Sequence, residues 1–183
     1  INNLSLQLPF IIAGPCSVES KEQIEAIAFD LHARGVKLLR GGTFKPRTSP
    51  NDFQGLGGEG IRLLRETADK FDMHTVTEIL EPSQLDEYYD MIDIVQIGSR
   101  NMSSYGLLKI VGEKTAAEQK PVLLKRGFSA TISELLSAAE YIIKSASLQS
   151  NEFPPRRHFL TSRSTLRRIQ KDESKYKDIW MVN

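Results

Sequence analysis

Seven residues of the chain stand out by type and placing. Arg40, Lys45 and Arg47 lie within LRGGTFKPRTSP, Arg100 lies in IGSRNM, Lys125 and Arg126 are adjacent in LLKRG, and Cys16 sits in AGPCSVES. Each follows a segment that reads as a strand, and Glu78 lies at the end of another such segment. The planar fork of arginine matches carboxylate and phosphate, and lysine adds a compact charge. Six cations gathered this way suit a ligand carrying several negative charges, such as phosphate together with carboxylate. The competing reading pairs some of them with acids such as Glu59, Glu78 or Asp93. A cysteine after a strand is by itself more often a small buried hydrophobe than a metal ligand. His32, within a helical pattern, and His74, at the amino end of a strand, read as structural, and Tyr88, Tyr89 and Tyr105 as packing residues.

The elements that must position these groups alternate regularly. Strands are expected at Pro9–Ala13, Val36–Arg40, His74–Ile79, Ile92–Gly98 and Pro121–Lys125. Helices are expected between them. One opens with capping-box spacing at Ser20 to Gln23, carries Ile24, Ile27, Ala28 and Leu31 on one face, and closes at Gly35. Another carries Ile61, Leu64, Ala68 and Phe71. A short one starts at Pro82 and buries Leu85 with Tyr88 or Tyr89. Two more carry Leu107, Leu108, Val111 and Thr115, and, after a second capping box at Thr131 to Glu134, Leu135, Ala139 and Ile142. Five strand–helix units imply a parallel sheet covered by helices. Length alone favours an open, doubly wound sheet over a (β/α)8 barrel, which typically needs about 250 residues. In either architecture the carboxyl ends of the strands form the ligand rim, so the seven residues are expected to share one rim.

The chain has 183 residues and a net charge of +1, with nothing that points to nucleic acid or a membrane surface. One cysteine excludes an internal disulfide framework and a Cys-rich zinc site. No run approaches a membrane span and no leader is readable, so a cytoplasmic location is expected. The near-neutral balance hides a split. Residues 1–143 carry 15 basic against 19 acidic side chains, a net of −4, and residues 144–183 carry 9 against 4, a net of +5. The second segment holds Pro154-Pro155, two arginine pairs and six serines. A boundary near Lys144 is expected, dividing residues 1–143 from an atypical basic segment, 144–183.

The motifs AGPCSVES, LRGGTFKPRTSP with FQGLG behind it, IGSRNM and LLKRG occur in an order that resembles 3-deoxy-D-arabino-heptulosonate-7-phosphate (DAHP) synthase. The branch resembled is the one often associated with chorismate mutase or a small regulatory domain. The resemblance covers about residues 9–143. Sister enzymes that make 3-deoxy-octulosonate 8-phosphate share the GPC-like start and lack the KPRTSP loop. The resemblance implies a (β/α)8 TIM barrel, against the length argument, with about five units readable here. It implies a condensation of phosphoenolpyruvate with erythrose 4-phosphate that releases phosphate, at the start of the shikimate pathway, in a homo-oligomer. It implies a divalent metal, Mn²⁺ or similar, with Cys16 as one ligand. Arg40, Lys45, Arg100, Lys125 and Arg126 are implied to surround phosphoenolpyruvate. Arg47 and Thr48, helped by Lys45, are implied to hold erythrose 4-phosphate, with Lys45 the catalytic residue and Glu78 ordering a water.

The resemblance fades after the fifth unit. The family continues with a Cys-Glu-Arg-Gly strand, a strand with a metal-binding His, a strand with Glu and a late metal-binding Asp. None is readable in 144–183, and His158 has no matching context. HFLT at 158–161 and DIWMV at 178–182 are the two runs in that segment capable of forming short strands. A truncation, a frame error and a mis-assigned segment all fit the tail, and synthase turnover by this chain alone is not expected. The alternative function is a non-catalytic fragment that binds phosphorylated carboxylates or docks onto a complete homologue.

Overall fold

Strands and helices alternate along a computed structural model that describes residues 10–147, 159–162 and 179–182. The order is β1 (Ile12–Ala13), α1 (Lys21–Ala33), β2 (Leu38–Arg40), α2 (Gly57–Lys70), β3 (His74–Ile79), α3 (Pro82–Tyr88), β4 (Ile94–Ile97), α4 (Tyr105–Ala116), β5 (Val122–Leu124), α5 (Ile132–Ser147), β6 (Phe159–Ser162) and β7 (Ile179–Val182). Among the described residues no helix is long and apolar enough to cross a membrane. The chain forms two units by its internal contacts, one of Gln7–Val95 and the other built on Gln96–Asn183, and each is described by itself.

In the first unit β1, β2 and β3 are parallel, with Ile12 opposite Leu38 and Leu38 opposite His74. They lie in chain order, and β4 follows β3. A doubly wound sheet would instead return β4 to the free edge of β1. The expectation from length is therefore corrected: chain-order parallel strands with intervening helices belong to the (β/α)8 barrel family. Length could not decide this, because strand order is a long-range property.

Local chemistry explains the helix starts. Ser20 accepts a hydrogen bond from the Gln23 backbone N–H at 3.1 Å, and Gln23 reaches back to the Glu19 N–H. Pro82 occupies the first turn of α3, where its missing N–H costs nothing, and a Glu81–Gln84 capping box holds that end. Ile24, Ala28, Leu39, Leu64 and Ala68 are buried together as one core cluster. A fully buried Leu or Ile contributes roughly 1.5–3 kcal/mol relative to exposure.

The amino ends of β3 and β4 are clamped by charge. Asp93 accepts from Arg65 Nη1 and from the Thr75 backbone N–H, each at 2.7 Å. Arg65 Nη2 donates to Asp69 at 2.5 Å. Asp93 thus serves α2 and β3, and His74 lies beside it with Nδ1 at 3.8 Å. His32 packs against Phe71, and Tyr88 against Phe44.

In the second unit β5, β6 and β7 are parallel, with Val122 opposite Phe159 and Leu160 opposite Trp180. All three residues of β5 are buried, as expected for a strand covered on both faces. The Thr131–Glu134 box closes reciprocally at the start of α5. The Gly112 side of α4 packs so close to α5 that a Cβ there would strike the Ile142 carbonyl. The two short apolar runs of the tail are strands β6 and β7, so the five strands expected become seven among the described residues. Helix α5 passes through Lys144 to Ser147, across the point where the charge balance changes. Pro9, at the start of the first expected strand, and His158 lie outside the described residues.

Candidate functional site

Three of the seven residues meet in the first unit. The chain leaves β1 through Gly14, whose φ of +148° is a conformation that side chains rarely adopt. A Cβ at Gly14 would collide with the backbone carbonyl of Arg40. That close approach brings the segment after β1 against the end of β2. Arg40 Nη1 then donates to the Pro15 carbonyl at 3.2 Å.

Lys45 folds back over the same segment. Its Nζ donates to the Cys16 carbonyl at 2.9 Å and lies 3.4 Å from Cys16 Sγ. Lys45 is only 8% exposed, which places its charge under cover. Gly42 makes the fold-back possible, since a Cβ there would stand 2.9 Å from Lys45 Cδ and 2.6 Å from the Cys16 carbonyl oxygen. The loop is held from below and at its tip. Thr77 Oγ1 donates to Gly41 C=O at 2.7 Å, Val18 N–H to Gly42 C=O at 3.0 Å, and Lys45 N–H to Gln54 C=O at 2.8 Å.

Burial works to raise the Cys16 thiol pKa. The hydrogen bond and charge of Lys45, joined by Arg40, outweigh it and hold the thiol below its ordinary value. The thiol is exposed to solvent, so the shift is measurable. Its alkylation by iodoacetamide is expected to titrate with a midpoint below that of an unperturbed cysteine measured alongside. Lys45→Met should move that midpoint upward, because burial then acts with less opposition. A wild-type midpoint at or above the usual value would show that Lys45 does not act on the thiol.

Arg47 does not join this cluster. It is exposed, and its Nε donates to the Phe53 carbonyl at 3.1 Å within its own loop. Thr48 is exposed beside it. Glu78 is buried near the carboxyl end of β3. Asp93, one of the acids that competed for the rim cations, pairs with Arg65 at the amino ends of the strands.

The other three cations belong to the second unit and are exposed. Arg100 lies in the turn Ser99–Asn101 after β4, with its guanidinium 5.5 Å from the centre of the Phe128 ring. The Lys125 backbone N–H donates to the Ile97 carbonyl at 3.0 Å. Arg126 Nη1 donates to Ala130 C=O at 2.6 Å. Phe128 was not singled out in the sequence; an aromatic residue directly behind Lys125-Arg126-Gly127 was the available signal.

The sequence model of the DAHP synthetase I family matches residues 7–171. The chain belongs to the DAHP synthetase I family. The match extends past residue 143, where the motif resemblance was drawn to a close. The chain is 53% identical over 135 residues to phospho-2-dehydro-3-deoxyheptonate aldolase of Thermotoga maritima, covering 74% of this chain and 39% of that protein. It is 34% identical over 114 residues to 2-dehydro-3-deoxyphosphooctonate aldolase of Granulibacter bethesdensis, covering 58% of this chain and 40% of that protein. The crystal structure of the Thermotoga maritima DAHP synthase superposes with a TM-score of 0.68 at 39% identity, over 85% of this chain and 51% of that one. The chain thus spans about two fifths of the length of these curated relatives.

DAHP synthases as a family use a divalent metal. Among the described residues, no three His, Cys, Asp or Glu side chains are grouped as a ligand set. The Lys45 ammonium, itself a cation, lies 3.4 Å from Cys16 Sγ. The described residues of this family member therefore supply one thiol at the implied position and do not by themselves fit a metal.

Proposed function

We propose that this protein acts in the condensation of phosphoenolpyruvate with erythrose 4-phosphate to 3-deoxy-heptulosonate 7-phosphate and inorganic phosphate. The observation that carries this reading is the covered Lys45 charge held beside Cys16 and Arg40 at the carboxyl ends of β1 and β2. Family membership and the identity with the Thermotoga maritima heptonate aldolase support it.

In the reaction, C3 of phosphoenolpyruvate forms a bond to the aldehyde carbon of erythrose 4-phosphate, whose oxygen gains a proton. Water adds at C2 and the C2–O bond to phosphate breaks. Both substrates are anions, and their mutual repulsion opposes the approach of the reacting carbons. Arg40, Lys45, Arg100, Lys125 and Arg126 offset the carboxylate and phosphate charge of phosphoenolpyruvate. Arg47 and Thr48 take the phosphate of erythrose 4-phosphate, which suits their exposed place on the loop. Lys45 is the catalytic residue: its Nζ, already a donor at the cluster, gives a hydrogen bond to the aldehyde oxygen as negative charge develops there. Glu78 orders the attacking water. Cys16 would be one ligand to a divalent metal such as Mn²⁺ only together with ligands that the described residues do not supply, so no step here runs through the metal. Homo-oligomerisation, association with a chorismate mutase or regulatory domain, and a cytoplasmic location belong to the same reading.

The test uses the purified, mass-verified 183-residue protein with phosphoenolpyruvate, erythrose 4-phosphate and Mn²⁺. Phosphate release that requires erythrose 4-phosphate would carry the enzyme reading and overturn the expectation that this chain alone does not turn over. Phosphoenolpyruvate binding without release would replace the enzyme with a binding protein for phosphorylated carboxylates, and absence of binding would refute both.

A further inference from the structure

The turns that follow β4 and β5 are seated on each other within the second unit. Gly127 N–H points at Met102 Sδ at 3.1 Å, and a Cβ at Gly127 would lie 3.5 Å from the Ser99 carbonyl oxygen. The Lys125 N–H bond to Ile97 fixes the base of the second turn. Ala130 N–H donates to Gly127 C=O, and Arg126 to Ala130 C=O, closing that turn on itself. This bracing leaves Phe128 at the tip, 76% exposed, with the Arg100 guanidinium over its ring. So exposed a ring adds little to the core, and the guanidinium over it belongs to a cation implied to meet substrate.

We propose that Phe128 is a positioning residue that holds the Arg100 guanidinium for an anionic group of the substrate. The inference rests on the reading of Arg100 as a substrate contact. An aromatic face attracts a guanidinium while leaving the in-plane N–H fork free for carboxylate or phosphate. A carboxylate partner would restrain the same side chain and cancel the charge the substrate needs. A free arginine must be ordered when substrate binds, and the ring meets part of that cost beforehand. The role belongs to the ring face, so apolar bulk alone does not replace it.

The experiment measures phosphoenolpyruvate binding by calorimetry for wild type, Phe128→Leu, Phe128→Trp, Arg100→Gln and the Phe128→Leu/Arg100→Gln pair. Arg100 side-chain proton shifts are followed by NMR in the same proteins without ligand. Phe128→Leu is expected to weaken binding about fivefold, the scale of one partly exposed cation–π contact. Phe128→Trp should restore it, and Phe128→Leu should add nothing once Arg100 is Gln. The Arg100 signals should be displaced upfield by the ring in wild type and return in Phe128→Leu. Unchanged binding in Phe128→Leu, or an effect that persists in the Arg100→Gln background, would overturn the proposal, as would Arg100 signals without a ring shift. Wild-type protein that shows the ring shift yet does not bind phosphoenolpyruvate would support the stacking and overturn the functional reading instead.

Discussion

Lys45→Ala is expected to weaken phosphoenolpyruvate binding roughly ten- to a hundredfold, as losing one charged hydrogen-bond partner costs roughly 1.5–3 kcal/mol. The effect is placed at the upper end of single-residue changes because Lys45 is covered, so water screens its charge poorly. Two substitutions separate charge from packing. Lys45→Met keeps an apolar stem against Gly42 and loses the ammonium, and it should match the alanine variant in affinity. Lys45→Arg keeps charge but needs room for a planar fork where Gly42 already lies close to the lysine stem, so it should not restore full affinity. Calorimetry with phosphoenolpyruvate decides it: affinity unchanged in Lys45→Met would remove Lys45 from the site.

Gly14→Ala should destabilise the protein by about 3 kcal/mol or more, combining a φ region that costs side chains about 1–3 kcal/mol with overpacking of similar size. The obstacle is the Arg40 backbone, which cannot rotate away as a side-chain end would. The same push separates the segment carrying Pro15 and Cys16 from Arg40, so affinity should fall along with the urea midpoint. Gly106→Ala is the matched control. Nothing stands within 4 Å of its added Cβ, and it lies in the first turn of α4. That change should be neutral or stabilising by about 0.4–1 kcal/mol. Equal urea midpoints for wild type and Gly14→Ala would show that the β1–β2 approach is looser than the geometry states.

Much of this architecture is written in short-range chemistry and was legible without coordinates. Ser20 with Gln23, Pro82, and Thr131 with Glu134 mark helix starts by bonds that span three or four residues, and each does so in the structure. Strand β3 spans His74 to Ile79, as the sequence reading placed it. Strand order is different in kind, since which edge β4 joins depends on every crossover before it. Strands β6 and β7 were hard to assign because each is four residues long in a polar segment, with backbone pairing rather than a long apolar run to mark it. At the site, motif order pointed to Cys16, Arg40 and Lys45, which do meet. It did not reveal that Arg47 turns its Nε to Phe53, because a loop's own carbonyls decide that. Nor did it reveal the Arg100–Phe128 stack, which joins two loops separated in sequence by a strand and a helix.

The clamp of Arg65, Asp93 and Thr75 has a consequence for anyone who wishes to alter this protein. It ties α2, β3 and the start of β4 together at the end of the strands away from Cys16 and Lys45. Folding and chemistry are thereby drawn from different residues. A library randomised at Arg47, Thr48 or Phe128 can therefore explore new substrates while the anchoring charges stay untouched, and variants that bind nothing should still express as folded protein. Randomising Arg65 or Asp93 would fill a library with clones lost before any activity could be scored.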